Sequence, residues 1–533
     1  KIYHMGKEEA AGLILNRQAM ASHTFITGST GTGKSNAVYH LLDEITKNGQ
    51  TTFLVVEPAK GEYKNVFGNC TDVQVFGTNP RETPLLRMNP FAFPENIHIL
   101  EHIDRLVEIF NACWPMYAAM PAVLKDAIER SYQKVGWDLR NSESEKGVFP
   151  TFFDLLDILP GVIEESHYSK DTQSDYVGAL CTRVKSLTNG IYGSVLCAED
   201  ALTDEALFDR NVIVDLSRVG SMETKSLLMG ILVMKLQEYR MCSSGMNSRL
   251  RHVTVLEEAH NLLRKTSAEQ SQEGANLQGK SVEMLANAIA EMRTYGEGFI
   301  IADQAPGLLD MSVIRNTNTK IILRLPDEED RKLVGKSAAL KEAQIDELSK
   351  LPLGVAAVYQ NEWPEAVLCK IEAYPMPENA VYHKPSKMPH EINAEFVFGQ
   401  LAVGKELEPL SISEMEQLKL WLKRHETVLK PEDDRYLERV FAGGELDVAK
   451  TRKAVFDFFG GIGTVVDYCA AAKKSLTPRK EFLEQLQGQY GLKAAAADWV
   501  LNSVISMGMS LNPDAKAVDN LRTNFEQQGG RVL

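Results

Sequence analysis

The segment that most constrains the fold of this chain is Gly28-Ser29-Thr30-Gly31-Thr32-Gly33-Lys34-Ser35. It fits the pattern G-x-x-x-x-G-K-[ST]. Residues 25–27 before it have the character of a buried strand, and residues 36–45 after it have the apolar spacing of a helix. A glycine-rich turn in this position lets successive backbone N–H groups point inward, and the helix N-terminus adds partial positive charge. The segment therefore predicts a phosphate cradle in an α/β protein.

Each part of this cradle has a predicted task. The ammonium group of Lys34 would reach the β- and γ-phosphates, and the hydroxyl of Ser35 would ligate Mg²⁺. The ligands predicted from the segment are therefore ATP and Mg²⁺. The residues predicted to bind the nucleotide are Gly28, Ser29, Thr30, Gly31, Thr32, Gly33, Lys34, Ser35 and Asn36.

A second chemical segment is His-Val-Thr-Val-Leu-Glu-Glu-Ala-His at residues 252–260. An apolar strand that delivers carboxylates at its C-terminal end is the physical content of a Walker B element. We predict that Glu257 holds the metal and that Glu258 orients or deprotonates the attacking water. Two solvated carboxylates at a helix start would be favourable in any protein. The phosphate loop upstream favours the catalytic interpretation.

Three further polar residues lie close to the later predicted strands. Gln304 comes just after the predicted strand 299–302, where a side-chain amide can sense the γ-phosphate. Arg293 lies near the end of the predicted helix 281–295, and Arg324 lies within the predicted strand 321–325. Either arginine is a candidate finger that stabilises charge in the site of a neighbouring subunit. A cation at a helix end or an ion pair at a strand edge explains each of them equally well.

The segment Glu-Pro-Ala-Lys-Gly-Glu-Tyr at residues 57–63 follows the predicted strand 52–56. Loops that follow the C-termini of parallel strands face the ligand crevice of an open sheet, so this segment is well placed for function. A surface turn made by Pro58 and Gly61 would account for the residues of this segment equally well. Both interpretations remain open.

The periodic segments divide the chain into two predicted domains, residues 1–404 and residues 405–533. Residues 97–205 have helical periodicity and are predicted to form a helical insertion carried on the sheet. Residues 374–390 are rich in Pro, Lys and His, which is typical of a linker or strap. The tail is predicted to be helical, with a helix break at the glycine cluster 459–463.

Composition narrows the class of protein. A hydrophobic content of 44% and a charged content of 24% are ordinary for a soluble globular protein. The net charge of −14 argues against a uniformly basic DNA-coating protein but allows a small basic channel. Seven scattered cysteines without a C-x-x-C pair predict reduced thiols. No signal-peptide pattern and no apolar run near ~20 residues is present, so we predict a cytoplasmic protein without a membrane partner.

The order of these motifs resembles the HerA family of the HerA/FtsK ATPases. The resemblance rests on the phosphate loop, on segment 57–63, on Glu-Glu-Ala-His at 257–260, and on Arg-Thr-Tyr-Gly at 293–296 followed by Asp-Gln at 303–304. It covers roughly residues 4–375. It departs at two points. The N-terminal β-barrel usual in the family does not precede the phosphate loop in this sequence, and the tail after residue 405 has no counterpart.

The resemblance implies a RecA-like P-loop ATPase core that forms a homohexameric ring and pumps double-stranded DNA through its pore. It also implies a protein partner, which is a nuclease or another effector such as those of bacterial antiphage systems. Carried over residue by residue, the phosphate loop binds ATP, Glu258 activates water and Gln304 senses the γ-phosphate. In the same way, Arg293 or Arg324 acts in trans.

The polar segment 264–280 is predicted to be a loop that faces the pore of such a ring. Three cations give it local positive charge, as a channel that follows DNA phosphates requires. These loop cations are Arg264, Lys265 and Lys280. A flexible solvated connector explains the segment nearly as well, because Glu269 and Glu273 dilute the charge.

Two other functions fit the same core. A secretion or conjugation ATPase would move protein or pilin, and it would be recruited to a membrane without DNA-stimulated hydrolysis. An ATP-gated ring scaffold would control a partner enzyme through slow hydrolysis, and the partner's activity would survive the loss of DNA translocation.

Overall fold

The computed structural model describes residues 1–384 and 435–532, with short gaps. Contacts divide the chain into two compact units, Lys1–Lys384 and Pro385–Leu533. The predicted domain boundary between residues 404 and 405 lies outside the described residues. The gaps are residues 5–6, 10, 48, 145–146, 199–200, 267–276, 377–379, 438, 441–446, 476 and 491–493.

A nine-stranded mixed sheet organises the first unit. Its order is β13-β12-β11-β3-β10-β9-β4-β8-β5, while β1 with β2 and β6 with β7 form separate hairpins. The strands are β1 (Tyr3–His4), β2 (Lys7–Glu8), β3 (Thr24–Thr27), β4 (Thr52–Glu57), β5 (Val73–Gly77), β6 (Trp137–Asp138), β7 (Glu143–Ser144), β8 (Asn211–Asp215), β9 (His252–Glu257), β10 (Glu297–Asp303), β11 (Thr319–Ile322), β12 (Val355–Gln360) and β13 (Val367–Lys370).

Seven adjacent strands run parallel to one another: β11, β3, β10, β9, β4, β8 and β5. Beyond β11 the pairing is antiparallel, between β11 and β12 and between β12 and β13. The register brings the strand ends level, because Glu57 pairs with Asp215 and Glu257 pairs with Ala302. The C-terminal ends therefore meet along one side of the sheet, which we call the carboxyl edge. Open α/β sheets bind their ligands at this edge.

The central strands form because their sequences are almost continuous apolar runs, which suits strands covered on both faces. Neighbouring side chains alternate between two cores: Phe25 and Leu54 belong to one, and Ile26 and Val55 belong to the other. The first core also takes up the helical insertion and the second takes up the helix after the phosphate loop. Both faces of the sheet are therefore covered, as the sequence predicts for the central strands.

Helices cover both faces of the sheet and build the insertion. Within the predicted insertion, the hairpin β6-β7 and a π-helical turn at Val177–Cys181 were not expected from periodicity. The helices are α1 (Lys34–Thr46), α2 (Tyr63–Phe67), α3 (Ile99–Cys113), α4 (Met120–Lys134), α5 (Phe152–Glu165), α6 (Lys170–Tyr176), α7 (Thr182–Thr188), α8 (Gly190–Leu196), α9 (Asp204–Phe208), α10 (Met222–Ser243), α11 (Leu277–Glu291), α12 (Met311–Arg315), α13 (Glu328–Ser337) and α14 (Glu342–Glu347).

The described part of the second unit is helical and has its own core. The predicted helix break is confirmed, because α15 and α16 differ in direction by 65° and Gly460 between them has a φ of 89°. Residues 405–434 of the predicted helical tail lie outside the described residues. The helices are α15 (Val448–Phe458), α16 (Gly461–Ala472), α17 (Pro478–Tyr490), α18 (Ala494–Leu511) and α19 (Ala515–Gln527).

Among the described helices, none is by itself long and apolar enough to cross a membrane. The bent pair α15 and α16 meets the length and composition only when the two helices are counted together. Side chains of this pair such as Val455 and Val465 are buried in the core of the second unit.

Candidate nucleotide-binding site

The phosphate loop joins β3 to α1 at the carboxyl edge. Gly31 and Gly33 have φ angles of 77° and 109°, which favour glycine. A Cβ atom on Gly28 would come within 2.7 Å of the Leu323 Cβ, so this position has no room for a larger residue. The glycines of the motif therefore have the backbone freedom and the close packing that a phosphate cradle needs.

The ammonium group of Lys34 lies across this loop and donates a hydrogen bond to the carbonyl of Gly28 at 2.7 Å. Burial lowers the pKa of Lys34, while Glu258 and Glu257 act in the opposite direction. The side chain is thus held at the mouth of the loop, where phosphate oxygens can replace the carbonyl as its acceptors.

A cavity of about 200 Å³ opens in front of the phosphate loop. A larger cavity of about 610 Å³ lies beside α1, but the described residues that line it include neither the phosphate loop nor the carboxylates at the strand ends. Only the smaller cavity has the chemistry of the predicted site. It is lined by Thr30, Gly31, Gly33, Lys34, Ser35, Asn36, Glu57, Ala59, Lys60, Tyr63, Glu257, Glu258 and Gln304.

Glu257 ends β9 and is buried at the floor of this cavity. The hydroxyl of Tyr63 donates a hydrogen bond to its carboxylate. Burial raises the pKa of Glu257 to about 7, and the neighbouring Glu258 adds to the rise while Lys34 opposes it. A bound cation would remove this penalty, so the position suits a metal-binding carboxylate.

Glu258 follows directly and takes the left-handed conformation, with φ of 47° and ψ of 50°. This conformation is uncommon outside glycine and often marks a functional position. Burial raises the pKa of Glu258, and Asp303 raises it further. Its Oε2 atom makes no hydrogen bond, although the Nδ1 atom of His260 lies 3.5 Å away. A carboxylate oxygen is therefore available to an incoming proton donor.

Gln304 and its neighbour Asp303 connect the end of β10 to both parts of the site. The hydroxyl of Thr30 in the phosphate loop donates to the Oε1 atom of Gln304 at 2.8 Å. Asp303 accepts hydrogen bonds from the backbone N–H and the Nδ1 atom of His260, at 2.8 and 2.9 Å. The hydrogen bond to Asp303 raises the pKa of His260. The structure thus places Gln304 beside the phosphate loop.

The oxygen atoms of the cavity fit a magnesium ion. Mg²⁺ prefers oxygen ligands, and the cavity brings the Ser35 hydroxyl and the Glu257 carboxylate to the same space. Glu258, His260 and Asp303 also offer ligand atoms within 4.8 Å of one another. That group includes an imidazole already hydrogen-bonded to Asp303, and imidazole suits transition metals better than Mg²⁺. Ser35 and Glu257 therefore remain the predicted metal ligands.

The two candidate fingers lie in different places. Arg324 is not within a strand as predicted, because β11 ends at Ile322. Its carbonyl accepts hydrogen bonds from Ser29, so its backbone lies beside the phosphate loop of its own subunit. Its side chain is exposed. Arg293 lies in a 3₁₀ turn, Met292–Tyr295, just before β10. The seven residues of β10 span about 20 Å, so Arg293 lies at the opposite edge of the sheet from its own phosphate loop.

The side chain of Asn36 has a structural task that the sequence did not indicate. Its amide donates to the carbonyl of Glu372 at 2.8 Å, and its oxygen accepts from the N–H of Tyr374 at 2.7 Å. Both partners follow β13: Glu372 precedes the segment 374–390 that is predicted to be a linker or strap, and Tyr374 begins it. The Asn36 side chain is thus engaged with the strap, and only its main chain remains for the predicted nucleotide contact.

Segment 57–63 faces the cavity, which favours the functional interpretation over the surface turn. Glu57, Lys60 and Tyr63 line it beside the phosphate loop. Burial raises the pKa of Glu57 to about 8, and this carboxyl accepts hydrogen bonds from two backbone amides of the same segment. Lys60 and Tyr63 were not among the predicted site residues. The available signal was their position directly after a parallel strand.

The predicted loop 264–280 lies mostly outside the described residues. At its start, Arg264 pairs with Leu309 in an isolated antiparallel bridge and the N–H of Lys265 donates to the carbonyl of Leu308 at 2.7 Å. At its end, α11 begins at Leu277, so Lys280 is helical and not in a loop as predicted. The start of the segment is thus joined to the residues that follow Gln304.

The chain is similar to known proteins in its sequence. Residues 4–235 match the family described as "Helicase HerA, central domain". The chain is 25% identical over 370 residues to the "DNA double-strand break repair helicase HerA" of Sulfolobus acidocaldarius. That alignment covers 67% of this chain and 66% of the relative, so the chain spans just under two thirds of the relative's length.

Two solved structures share the fold at low sequence identity. VirB4 of Thermoanaerobacter pseudethanolicus has a TM-score of 0.50 at 18% identity, covering 66% of this chain and 90% of its own. The plasmid coupling protein TrwB, in complex with the ATP analogue ADPNP, has a TM-score of 0.50 at 15% identity, covering 72% and 94%. The phosphate loop and these similarities identify the core as that of a P-loop ATPase, and residues 4–235 of this chain are similar to the central domain of the HerA helicases.

Proposed function

We propose that this chain is an ATP-driven translocase of double-stranded DNA that works as a homohexameric ring coupled to a nuclease or another effector protein. The observation that carries the proposal is the meeting of Lys34, Glu257, Glu258 and Gln304 around one cavity at the carboxyl edge. The relative named as a DNA double-strand break repair helicase supports DNA as the substrate.

The residues divide the work of hydrolysis among themselves. Bound ATP with Mg²⁺ supplies the phosphoanhydride whose cleavage drives movement. Lys34 would exchange its hydrogen bond to the Gly28 carbonyl for phosphate oxygens, and Ser35 and Glu257 would hold the metal. Gln304, already hydrogen-bonded to the loop residue Thr30, is placed to register whether the γ-phosphate is present.

Glu258 is the proposed base, and its surroundings explain why. A general base works best when its pKa approaches the working pH, and burial moves the pKa of Glu258 upward in that direction. Its Oε2 atom is enclosed and has no hydrogen-bond donor, so protonation of this carboxylate would break no hydrogen bond at that oxygen. The nearby Asp303 is fully buried and engaged with His260, and Glu257 is assigned to the metal, so Glu258 is the cavity-lining carboxylate beside Gln304 that we assign to the base.

A ring of subunits would give a role to Arg293, Arg324 and the loop cations. Arg293 lies too far from its own phosphate loop to act there, so any role in hydrolysis would be played at a neighbour's site. Arg324 is exposed beside its own loop and would extend toward an adjacent subunit. The loop cations would supply the basic lining of a pore in a chain whose net charge is −14.

One experiment tests the proposal as a whole. The ATPase rate is measured with and without double-stranded DNA on purified protein whose assembly is determined by mass photometry. We expect hexamers whose hydrolysis rises several-fold with DNA. Hydrolysis that DNA does not change, in protein that associates with membrane vesicles, would support a secretion or conjugation ATPase instead. An intact ring with slow, DNA-independent hydrolysis would support a scaffold that gates a partner.

A further inference from the structure

The turn after β4 carries an unexpected backbone conformation at Lys60. This residue has a φ of 60°, in the left-handed region that side chains other than glycine rarely adopt. The N–H of Gly61 donates to the carbonyl of Ala59 at 2.7 Å, which closes a tight turn around Lys60. Such conformations persist only where the surroundings enforce them, and they cluster at functional sites.

Two features enforce this turn. The buried carboxyl of Glu57 accepts hydrogen bonds from the backbone N–H groups of Glu62 and Tyr63, at 2.8 and 3.1 Å. On the other side, a Cβ atom on Gly61 would lie 3.0 Å from the Ser217 Oγ, so the turn is packed closely against the residues after β8. The position of Lys60 is therefore set by the fold and does not depend on its own side-chain contacts.

The ammonium group of Lys60 has little to hold it in the described structure. Its ionic neighbour is Glu62, at 3.8 Å, and both side chains are about half exposed, so this pair contributes little. The side chain lines the cavity that contains the phosphate loop. Its charge lowers the pKa values of Glu257 and Glu258, which places it near the carboxylate end of the cavity.

We propose that Lys60 is a second phosphate-binding cation of this site and contacts the γ-phosphate from the wall opposite the phosphate loop. The inference rests on the proposed ATPase function, because it concerns the same cavity. Lys34 comes from the phosphate loop and α1, whereas Lys60 comes from the turn after β4, which β10 and β9 separate from β3 in the sheet. The γ-phosphate would then lie between two cations, and ADP would lose the contact with Lys60.

The test measures how well the protein distinguishes ATPγS from ADP. Dissociation constants for both nucleotides, with Mg²⁺, are obtained by competition against a fluorescent ADP analogue. Loss of a charge-assisted hydrogen bond in Lys60→Ala should weaken ATPγS binding about ten- to a hundredfold, while ADP binding changes less than about threefold. Lys60→Arg should retain most of the preference. Lys47→Ala, at the exposed end of α1, is the matched control and should bind both nucleotides like the unaltered protein.

A second variant separates the charge from the backbone. Alanine keeps the unfavourable φ of this position, whereas Lys60→Gly removes the ammonium group and relieves the conformation. Both variants should show the same loss of ATPγS preference, with Lys60→Gly at least as stable in thermal unfolding. If both variants keep the original ratio of the two dissociation constants, the inference is wrong. If the unaltered protein binds neither nucleotide, the proposed function fails first.

Discussion

Glu297 lies at the other end of the sheet from the site and should contribute strongly to stability without affecting catalysis. It begins β10 and is fully buried. Its carboxylate accepts hydrogen bonds from the Nε atom of Arg240 at 2.9 Å, from the Nδ1 atom of His252 at 2.8 Å and from the hydroxyl of Thr254 at 2.8 Å. Because Arg240 belongs to α10, this group joins the helix to the amino ends of two central strands.

The size of the contribution follows from the pKa of Glu297. Burial alone would raise it, but His252 and Arg240 outweigh burial and hold the pKa at about 2, against an ordinary value of 4.5. That difference corresponds to about 3 kcal/mol at 1.36 kcal/mol per pH unit. It is an upper figure, because burial lowers the pKa of His252 and leaves Arg240 as the lasting cation at pH 7.

The corresponding change in melting temperature can be calculated. A unit of 384 residues has an unfolding entropy of about 0.8 kcal/mol/K, so a loss of about 3 kcal/mol lowers Tm by about 4 °C. We therefore expect Glu297→Gln to melt about 4 °C below the unaltered protein at pH 7. Glu101→Gln, which removes a surface pair with Arg105, should change Tm by less than about 1 °C.

The pH dependence has a definite direction. A carboxylate with a depressed pKa in the folded state contributes its full stability above pH 4.5 and loses it as the pH falls towards about 2. The Tm difference between Glu297→Gln and the unaltered protein should therefore shrink below pH 4.5. The KM for ATP at 25 °C should not change, because the site lies at the carboxyl edge. No Tm difference at pH 7, or one that stays constant down to pH 3, would refute this account.

The site itself allows three more tests. Glu258→Gln should keep ATP binding and lower turnover about 10²- to 10⁴-fold, whereas Lys34→Ala should weaken nucleotide binding itself. Equilibrium binding and steady-state rates distinguish the two effects. Normal turnover of Glu258→Gln would exclude Glu258 as the base. Mixing Lys34→Ala subunits with Arg293→Ala or Arg324→Ala subunits should restore some hydrolysis, and no recovery in rings proven to be mixed counts against a shared site. Replacing the three loop cations by Ala should leave basal hydrolysis intact, abolish its stimulation by DNA and flatten the salt dependence of DNA binding. An unchanged salt dependence would mean that other residues contact the DNA phosphates.

The parts of the fold that follow from local sequence were predictable. The phosphate loop lies between β3 and α1 because its glycines permit positive φ angles and the flanking residues have a strand and a helix pattern. The strands β4, β8, β9 and β10 follow from apolar runs that only a doubly covered sheet can bury. The end of each such strand then indicates where the acidic residues of the site should lie.

Other parts depend on contacts between distant segments and could not be predicted. Trp137 of the hairpin β6-β7 packs against Phe93, a residue far earlier in the chain, at 5.2 Å between ring centroids. The hydrogen bonds of Asn36 join α1 to a segment more than 300 residues away. The role of segment 57–63 is ambiguous in the sequence, because its residues are also typical of a surface turn. The pairing of β4 with β9, which brings the segment to the carboxylates, is not visible in the sequence.

The hydrogen bonds along the carboxyl edge support Glu258 as the proposed base. Four neighbouring strands each end in a buried acid, and all four acids have donors. They are Asp215 with Lys64, Glu57 with two backbone amides, Glu257 with Tyr63, and Asp303 with His260. Among the enclosed carboxylate oxygens of the described residues, Oε2 of Glu258 is the one that makes no hydrogen bond. We therefore propose that the four strand-end acids shape and charge the cavity, and that Glu258, whose enclosed oxygen has no donor, takes up the proton.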